Sequence, residues 1–442
     1  MKKLGVVSAM YGHIAQVKLT KDYVPAVGEV LLTGERGTTR LLVEECINGA
    51  AICLNIDDAH ALAHNDSVMA TGEIFKVPAS KAIFGRVFNA LGEPLDGAGA
   101  LETPALHSIS LPAHQKIGSV HKPEVLETGI KVIDFMAPFV KGRRIGIIGG
   151  AGVGKTVLTT EMMHNVADKQ AALNFFVGIG ERVREGHELF YTLKNRGLID
   201  RTVMYLGQMS EDAVKRSMVG PTAATVARVY AEKGNDILFF IDNIYRFVQA
   251  RNELSVMREA VPSEGGYQPS LFSDLHRFED TLQATQNGSI TSVQSIFIPA
   301  DDLSDPAVVE ISQQLDSTIV LSRDVFEQGI FPAVDLLNTT SSLITPEILG
   351  ERHYGLVKRV KAVMRTYRSL KTIIAIVGES ELSPGDRLDY ERAQELTQFF
   401  SQHMFVTEDL SGNKGEYFTR EQTLKGIEAI FRAEDAAPSD QP

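Results

Sequence analysis

Apolar and polar residues alternate in short runs along the first part of the chain: GVVSAM from Gly5, IAQVKL from Ile14, EVLLTG from Glu29, RLLVEEC from Arg40, AAICLNI from Ala50 and SVMATG from Ser67. Glycine, asparagine or aspartate turns separate them. A period of two with regular turn signals predicts strands that bury one face, as in a small closed barrel or a sandwich. Residues 1–76 are expected to form this domain.

Beyond it the pattern changes. Ile145–Ile148, Leu173–Ile179, Val203–Leu206, Asp236–Ile241, Ile290–Ile298 and Ser317–Leu321 are nearly continuous apolar runs. Runs buried on both faces, separated by stretches of helical spacing, predict a mostly parallel sheet covered by helices. Phe84–Asp96 reads as an entry strand and loop, with turn chemistry at Gly92 and Pro94. This α/β domain is expected over 77–345.

From Pro346 the steps are three and four residues: Leu356, Val357, Val360, Val363, Met364, Tyr367, Leu370 and Ile374 mark one face of an amphipathic helix. The other face carries Lys358, Arg359, Lys361, Arg365, Arg368 and Lys371, which reads first as a solvated surface. Arg387–Phe400 and Thr419–Ala433 predict further helices, and Glu434–Pro442 a frayed tail. A helical domain is therefore expected over 346–442.

At 442 residues the chain needs more than one core. Its formal charge of −12 argues against nucleic acid as a partner. Two cysteines, Cys46 and Cys53, give no disulfide framework, and a cytoplasmic compartment is expected. No uninterrupted apolar run reaches the roughly 18 residues that a membrane span needs, so membrane contact is expected only through partners. His60 and His64 lie four apart without an acidic neighbour and read as surface histidines.

The chemistry begins at RRIGIIGGAGVGKT, Arg143 to Thr156, which ends in the GxxxxGK[ST] pattern. A short apolar strand precedes it and a helical stretch follows, the context in which this loop cradles phosphate. Gly149, Gly150, Ala151, Gly152, Val153 and Gly154 keep the loop small enough for main-chain N–H groups to wrap a polyphosphate at a helix N-terminus, with Val157 just inside that helix. Lys155 is expected to reach the outer phosphates and Thr156 to offer its hydroxyl to Mg²⁺. Asp242 directly follows the strand DILFFI, the position of a second Mg²⁺ partner. In the cluster GERVREG, Glu181 is a candidate to orient an attacking water, Arg182 to bind the γ-phosphate and Glu185 to hold a metal-bound water. The same cluster equally reads as a surface salt-bridge network. Arg246, four residues after Asp242, is a further phosphate candidate.

Taken together, ETGIKVID, GGAGVGKT, GERVREG, LGQM, FFIDNIYRF, GYQP, GSITSVQ, PADDLSDPA, LSRD and PAVD, from about Phe84 to Gly378, make this chain resemble the catalytic beta subunit of rotary F-type ATP synthases. The resemblance implies a RecA-like nucleotide domain between an N-terminal β-barrel and a C-terminal helical domain. It also implies synthesis or hydrolysis of Mg-ATP in a heterohexamer around a central stalk, coupled to proton or sodium transport and peripheral on the cytoplasmic face of a membrane. By motif position it supports ATP or ADP as ligand and Mg²⁺ as cofactor. Glu181 becomes the water-orienting carboxylate, Arg182 and Arg246 phosphate ligands, Asp242 and Glu185 groups around Mg²⁺, and Phe331 the aromatic beside the base. Three segments depart from the family pattern. Ser342 stands where an arginine is usual, so an alpha-type partner is expected to supply the arginine finger. SQHMF…LSG leaves Met404, Phe405 and Leu410 as substitutes around the base, and SELSPGD, with a turn expected at Pro384 and Gly385, replaces an acidic lever. A non-catalytic nucleotide-binding subunit and a homohexameric export ATPase are the alternatives.

Overall fold

The computed structural model describes residues 2–20, 23–34, 38–57, 62–102, 105–109, 123–150, 152–170, 172–258, 267, 270–298 and 304–435. The architecture is an N-terminal β-barrel, a mostly parallel central sheet flanked by helices, and C-terminal helices. By packing, the chain forms two compact units. One comprises Met1–Ile117, Leu173–Ile290 and Ser304–Ile311; the other comprises Gly118–Ala172, Thr291–Leu303 and Ser312–Pro442.

In the first unit, six strands close a barrel: Lys2–Tyr11, Ile14–Leu19, Glu29–Thr33, Thr39–Ile47, Ala50–Asn55 and Ser67–Ile74. The first strand pairs antiparallel with both the second and the sixth, which decides barrel over sandwich. Alternate positions point inward, and Leu4, Val7, Val17, Leu31, Leu41, Val43, Cys53 and Val68 form its core. The same unit holds four parallel strands in the order Ile237–Asp242, Leu173–Glu181, Thr202–Gln208, Val87–Phe88. Helix Ala213–Glu232 packs on them, its N-terminus capped by Asp212, whose side chain accepts the Lys215 N–H at 2.9 Å. Arg251, on helix Ile244–Met257, fastens the barrel to the helical layer by ion pairs to Glu44 at 2.6 Å and Asp274 at 2.8 Å.

The second unit is built on the strand Arg144–Ile148, which runs parallel to Ile290–Ile296 and to Ser317–Val320. Ile290–Ile296 ends two residues before the expected boundary at Ile298. The amphipathic helix expected after Pro346 runs from Glu351 to Val377, and helices Pro384–Phe400 and Arg420–Asp435 follow. Pro384 does not make a turn. It is the first residue of its helix, where its missing N–H costs nothing, behind Ser383, whose hydroxyl accepts the Asp386 N–H. Much of the expected solvated basic face is engaged: Arg359 lies 4.2 Å over the Phe431 ring, Lys361 donates to the Thr339 carbonyl at 3.1 Å, and Arg368 pairs with Asp335 at 3.7 Å.

The C-terminal segment and the turn before helix Lys131–Met136 are woven together. Gln402 donates to the carbonyls of Gly129 (2.8 Å) and Glu416 (2.7 Å) and accepts the Lys131 N–H (3.0 Å). The Phe418 N–H donates to the Gly129 carbonyl at 3.1 Å. Gly129 has φ +73°, and any Cβ there would collide with the Tyr417 ring. Asp134 closes the turn from inside: fully buried, it accepts from the Thr128 N–H (2.8 Å), the Thr128 hydroxyl (2.7 Å) and the Gly129 N–H (2.9 Å). His353 is buried against Phe135, stacked at 5.2 Å, and its Nε2–H donates to the Phe135 carbonyl at 2.9 Å.

Candidate functional site

In the second unit, the phosphate-loop strand delivers the chain to Gly149 and the helix Lys155–Gln170 begins at the lysine of the motif. The glycines serve different ends. Gly152 and Gly154 sit at φ +78° and +94° with open space around them, so conformation demands glycine there. At Gly149 a Cβ would lie 3.0 Å from both Leu321 and Val153, so space demands it. Val153 is buried and anchors the loop, whereas Thr156 and Val157 are exposed at the start of the helix. Ala151 lies outside the described residues; Gly150 precedes it in the loop. The Lys155 ammonium donates to the Gly149 carbonyl at 2.7 Å and lies 5.8 Å over the Phe297 ring.

The same unit carries Phe331, its ring 44% exposed and edge-on to Phe326 at 5.2 Å. Its carbonyl accepts the Gln402 N–H at 2.8 Å. Met404 is buried, and Phe405 is half-buried with its ring 5.1 Å from that of His164. Ser342 is exposed at its hydroxyl, which donates to the Asp316 carbonyl at 3.0 Å.

The first unit brings together Glu181, Arg182, Glu185, Asp242 and Arg246. Glu181 ends the strand Leu173–Glu181 and Asp242 ends its parallel neighbour, with Gly178 in register opposite Asp242. The ladder slips between Ile179 and Glu181, where Gly180 takes φ +63°; the bulge turns the Glu181 side chain out of the strand's alternation. Gly180 also makes room for Arg246, since a Cβ there would stand 2.7 Å from the Arg246 Cδ. Arg246 enters the first turn of helix Ile244–Met257, whose cap Asn243 accepts its N–H at 3.3 Å. Glu185 lies in the first turn of helix Val183–Asn195, where the dipole favours negative charge, and pairs with Arg182 at 3.6 Å.

These carboxyls are electrostatically linked. Burial, a hydrogen bond with Glu185 and the charges of Asp242 and Glu185 push the Glu181 carboxyl up to about 8, against the Arg182 N–H that it accepts at 3.2 Å. Glu185 is held below the usual carboxylate range, first by the hydrogen bond from Glu181 and further by Arg182, Arg184 and Arg246. The proton of the pair therefore sits on Glu181. Such a cluster differs from the surface salt-bridge network that its composition also allows: Glu181 is buried enough to repel its neighbours, while Arg184 makes the ordinary exposed pair, with Glu188 at 2.8 Å.

Among the described residues no group of three or more His, Cys, Asp or Glu side chains is arranged to hold a metal ion by itself. His64 is exposed, and His60 lies outside the described residues. No described helix is long and apolar enough to cross a membrane. Residue spacing does not single out Glu161, which lies in the second turn of the phosphate-loop helix and meets Phe405 and Val406 from far along the chain. Nor does it mark Asn243, legible afterwards only as a capping residue before a helix.

Two family models match the chain in succession. Residues 129–341 match the nucleotide-binding domain of the ATP synthase alpha/beta family. Residues 342–413 match the C-terminal domain of V and A type ATP synthase, where the motif resemblance had pointed to the F type. ATP or ADP binding and assembly with other subunits in a hexameric ring go with this family. The chain thus carries the nucleotide-binding domain of the ATP synthase alpha/beta family, followed by a C-terminal domain of the V and A type.

Proposed function

We propose that the chain is the catalytic subunit of a rotary ATPase or ATP synthase, hydrolysing or forming Mg-ATP within a heterohexameric ring. The observation that carries this reading is the Glu181 carboxyl, aimed by the Gly180 bulge and flanked by Asp242, Glu185, Arg182 and Arg246. A subunit that only held nucleotide has no use for a half-buried carboxylate beside two arginines.

Phosphoryl transfer to water asks a protein mainly for position and charge. In this reading the main-chain N–H groups of 149–154 and the Lys155 ammonium bind the β- and γ-phosphates, with Val157 at the helix start and Phe331 stacking on the base. Lys155 must leave the Gly149 carbonyl to do so. Deprotonated, Glu181 accepts a hydrogen bond from the attacking water and holds it in line; Arg182 and Arg246 lie beside it to meet the developing charge.

Thr156, Asp242 and Glu185 are the residues that would hold Mg²⁺. The donor types fit: a hydroxyl and two carboxylates are hard oxygen ligands, and Mg²⁺ usually takes one or two protein carboxylates plus phosphate oxygens. Bound Mg²⁺ supplies charge neutralisation on the phosphates.

The nucleotide-domain motifs support the F-type beta reading, and the match over 342–413 supports a V or A type C-terminal domain. In either setting the arginine finger comes from an alpha-type partner, since Ser342 cannot supply it; this also disfavours a homohexameric export ATPase. A central stalk, ion coupling and a peripheral place on the cytoplasmic face of a membrane belong to the same proposal. The test is Glu181→Gln in the purified assembly. Turnover should fall about 100-fold or more while Mg-ATP still binds, and undiminished turnover would remove the catalytic assignment.

A further inference from the structure

Glu161 is fully buried, and each of its oxygens accepts from one loop: Oε1 the Phe405 N–H at 3.1 Å, beside a longer bond of 3.4 Å from the Asn165 amide, and Oε2 the Val406 N–H at 3.0 Å. It projects from the helix that begins at Lys155, six residues or about 9 Å along the axis. Asn165, one turn further on, donates to the Thr128 carbonyl at 2.9 Å, and His164 packs its ring against Phe405. The other end of the same loop is Gln402, whose N–H donates to the Phe331 carbonyl and whose side chain grips Gly129, Lys131 and Glu416. A buried carboxylate on two main-chain N–H groups is a stiff, charge-assisted fastening, roughly twice as strong per bond as a neutral one. One end of the 402–406 loop is thus fixed to the phosphate-loop helix and the other to the exposed Phe331.

We propose that Glu161 is a positioning residue for the nucleotide base: through the 402–406 loop it sets the Phe331 ring at a fixed distance from the phosphate-loop helix. The proposal rests on the reading that this unit binds nucleotide, and adds that the base and phosphate subsites are registered to each other by this carboxylate. Glu161 touches neither ligand group. Its loss should weaken recognition of the base and leave recognition of phosphate alone.

The experiment is calorimetric titration of the full-length chain with MgADP and, separately, with magnesium tripolyphosphate, which has no base. Glu161→Gln keeps the shape and one acceptor but turns an amide N–H₂ toward a main-chain donor. MgADP affinity should fall about ten-fold, with tripolyphosphate affinity within about two-fold of the wild type. Combined with Phe331→Ala, the loss should be less than additive, because both changes remove the same contact. Should Glu161→Gln melt early, Val406→Pro deletes one donor from the loop side and must give the same base-specific loss. Equal weakening of both ligands, or of neither, overturns the proposal, as does full additivity with Phe331→Ala. A wild-type chain that binds neither ligand would instead overturn the nucleotide reading itself, and this proposal with it.

Discussion

The Lys155 ammonium donates to the main-chain carbonyl of Gly149, six residues upstream, at 2.7 Å. The bond closes the phosphate loop on its own charge, through the group that a nucleotide would claim. Lys155→Ala should therefore cost turnover about 100-fold or more, the scale seen when one charged donor to a developing anion is removed. Phosphate release from the purified assembly measures it; retention of more than a tenth of the activity would detach Lys155 from the proposed role.

Gly180→Ala tests the other half of the proposal by steric means. The new methyl must enter at φ +63° and 2.7 Å from the Arg246 Cδ, costing about 1–2 kcal/mol in backbone strain before the arginine moves. Melting should drop by a few degrees, and turnover should fall further than the melting change explains. A variant with normal turnover would show that the placement of Arg246 is immaterial to the chemistry.

His353 predicts an acid limb of stability. Burial lowers its imidazole to about 4, against the bond to the Phe135 carbonyl that raises it. The unfolded chain, with an ordinary histidine near 6.5, takes up the proton first, so stability is whole above about 6.5 and is lost as pH falls toward 4. The full loss amounts to about 3 kcal/mol. Denaturant melts at pH 7 and pH 4.5 read it, and His353→Gln should flatten that difference by about 2 kcal/mol.

Ser342 predicts a dependence on company. With its hydroxyl bonded to Asp316 and no guanidinium at that place, the chain alone should turn over ATP at least about 1,000-fold more slowly than the assembled ring. Activity assays of the chain alone and of the ring isolated with its partners decide it. Equal rates would mean that no arginine arrives from a neighbour.

The strands Arg144–Ile148 and Leu173–Glu181 stand within two residues of their apolar runs, because a strand buried on both faces writes its length directly into composition. The places of Glu181 and Asp242 at the ends of their strands were equally legible, since they are the first acidic residues after such runs. The rest depends on contacts across sequence. Whether the six N-terminal strands closed as a barrel turned on the pairing of Lys2–Tyr11 with Ser67–Ile74, which no local pattern encodes. Glu161 meets Phe405 across 244 residues, and from the sequence it is one more polar position on an amphipathic helix. Pro384 misled for a local reason: before a helix, proline and serine write the same signal as a turn.

The weave of Gln402, Tyr417 and Phe418 around Gly129 reaches past residue 413, where the matched C-terminal domain stops. During synthesis the turn before helix Lys131–Met136 therefore waits for the last tenth of the polypeptide before its main-chain groups find their partners. A nascent chain stalled before Phe418 would leave the Gly129 carbonyl short of one of its two donors and Asp134 under an unfinished roof.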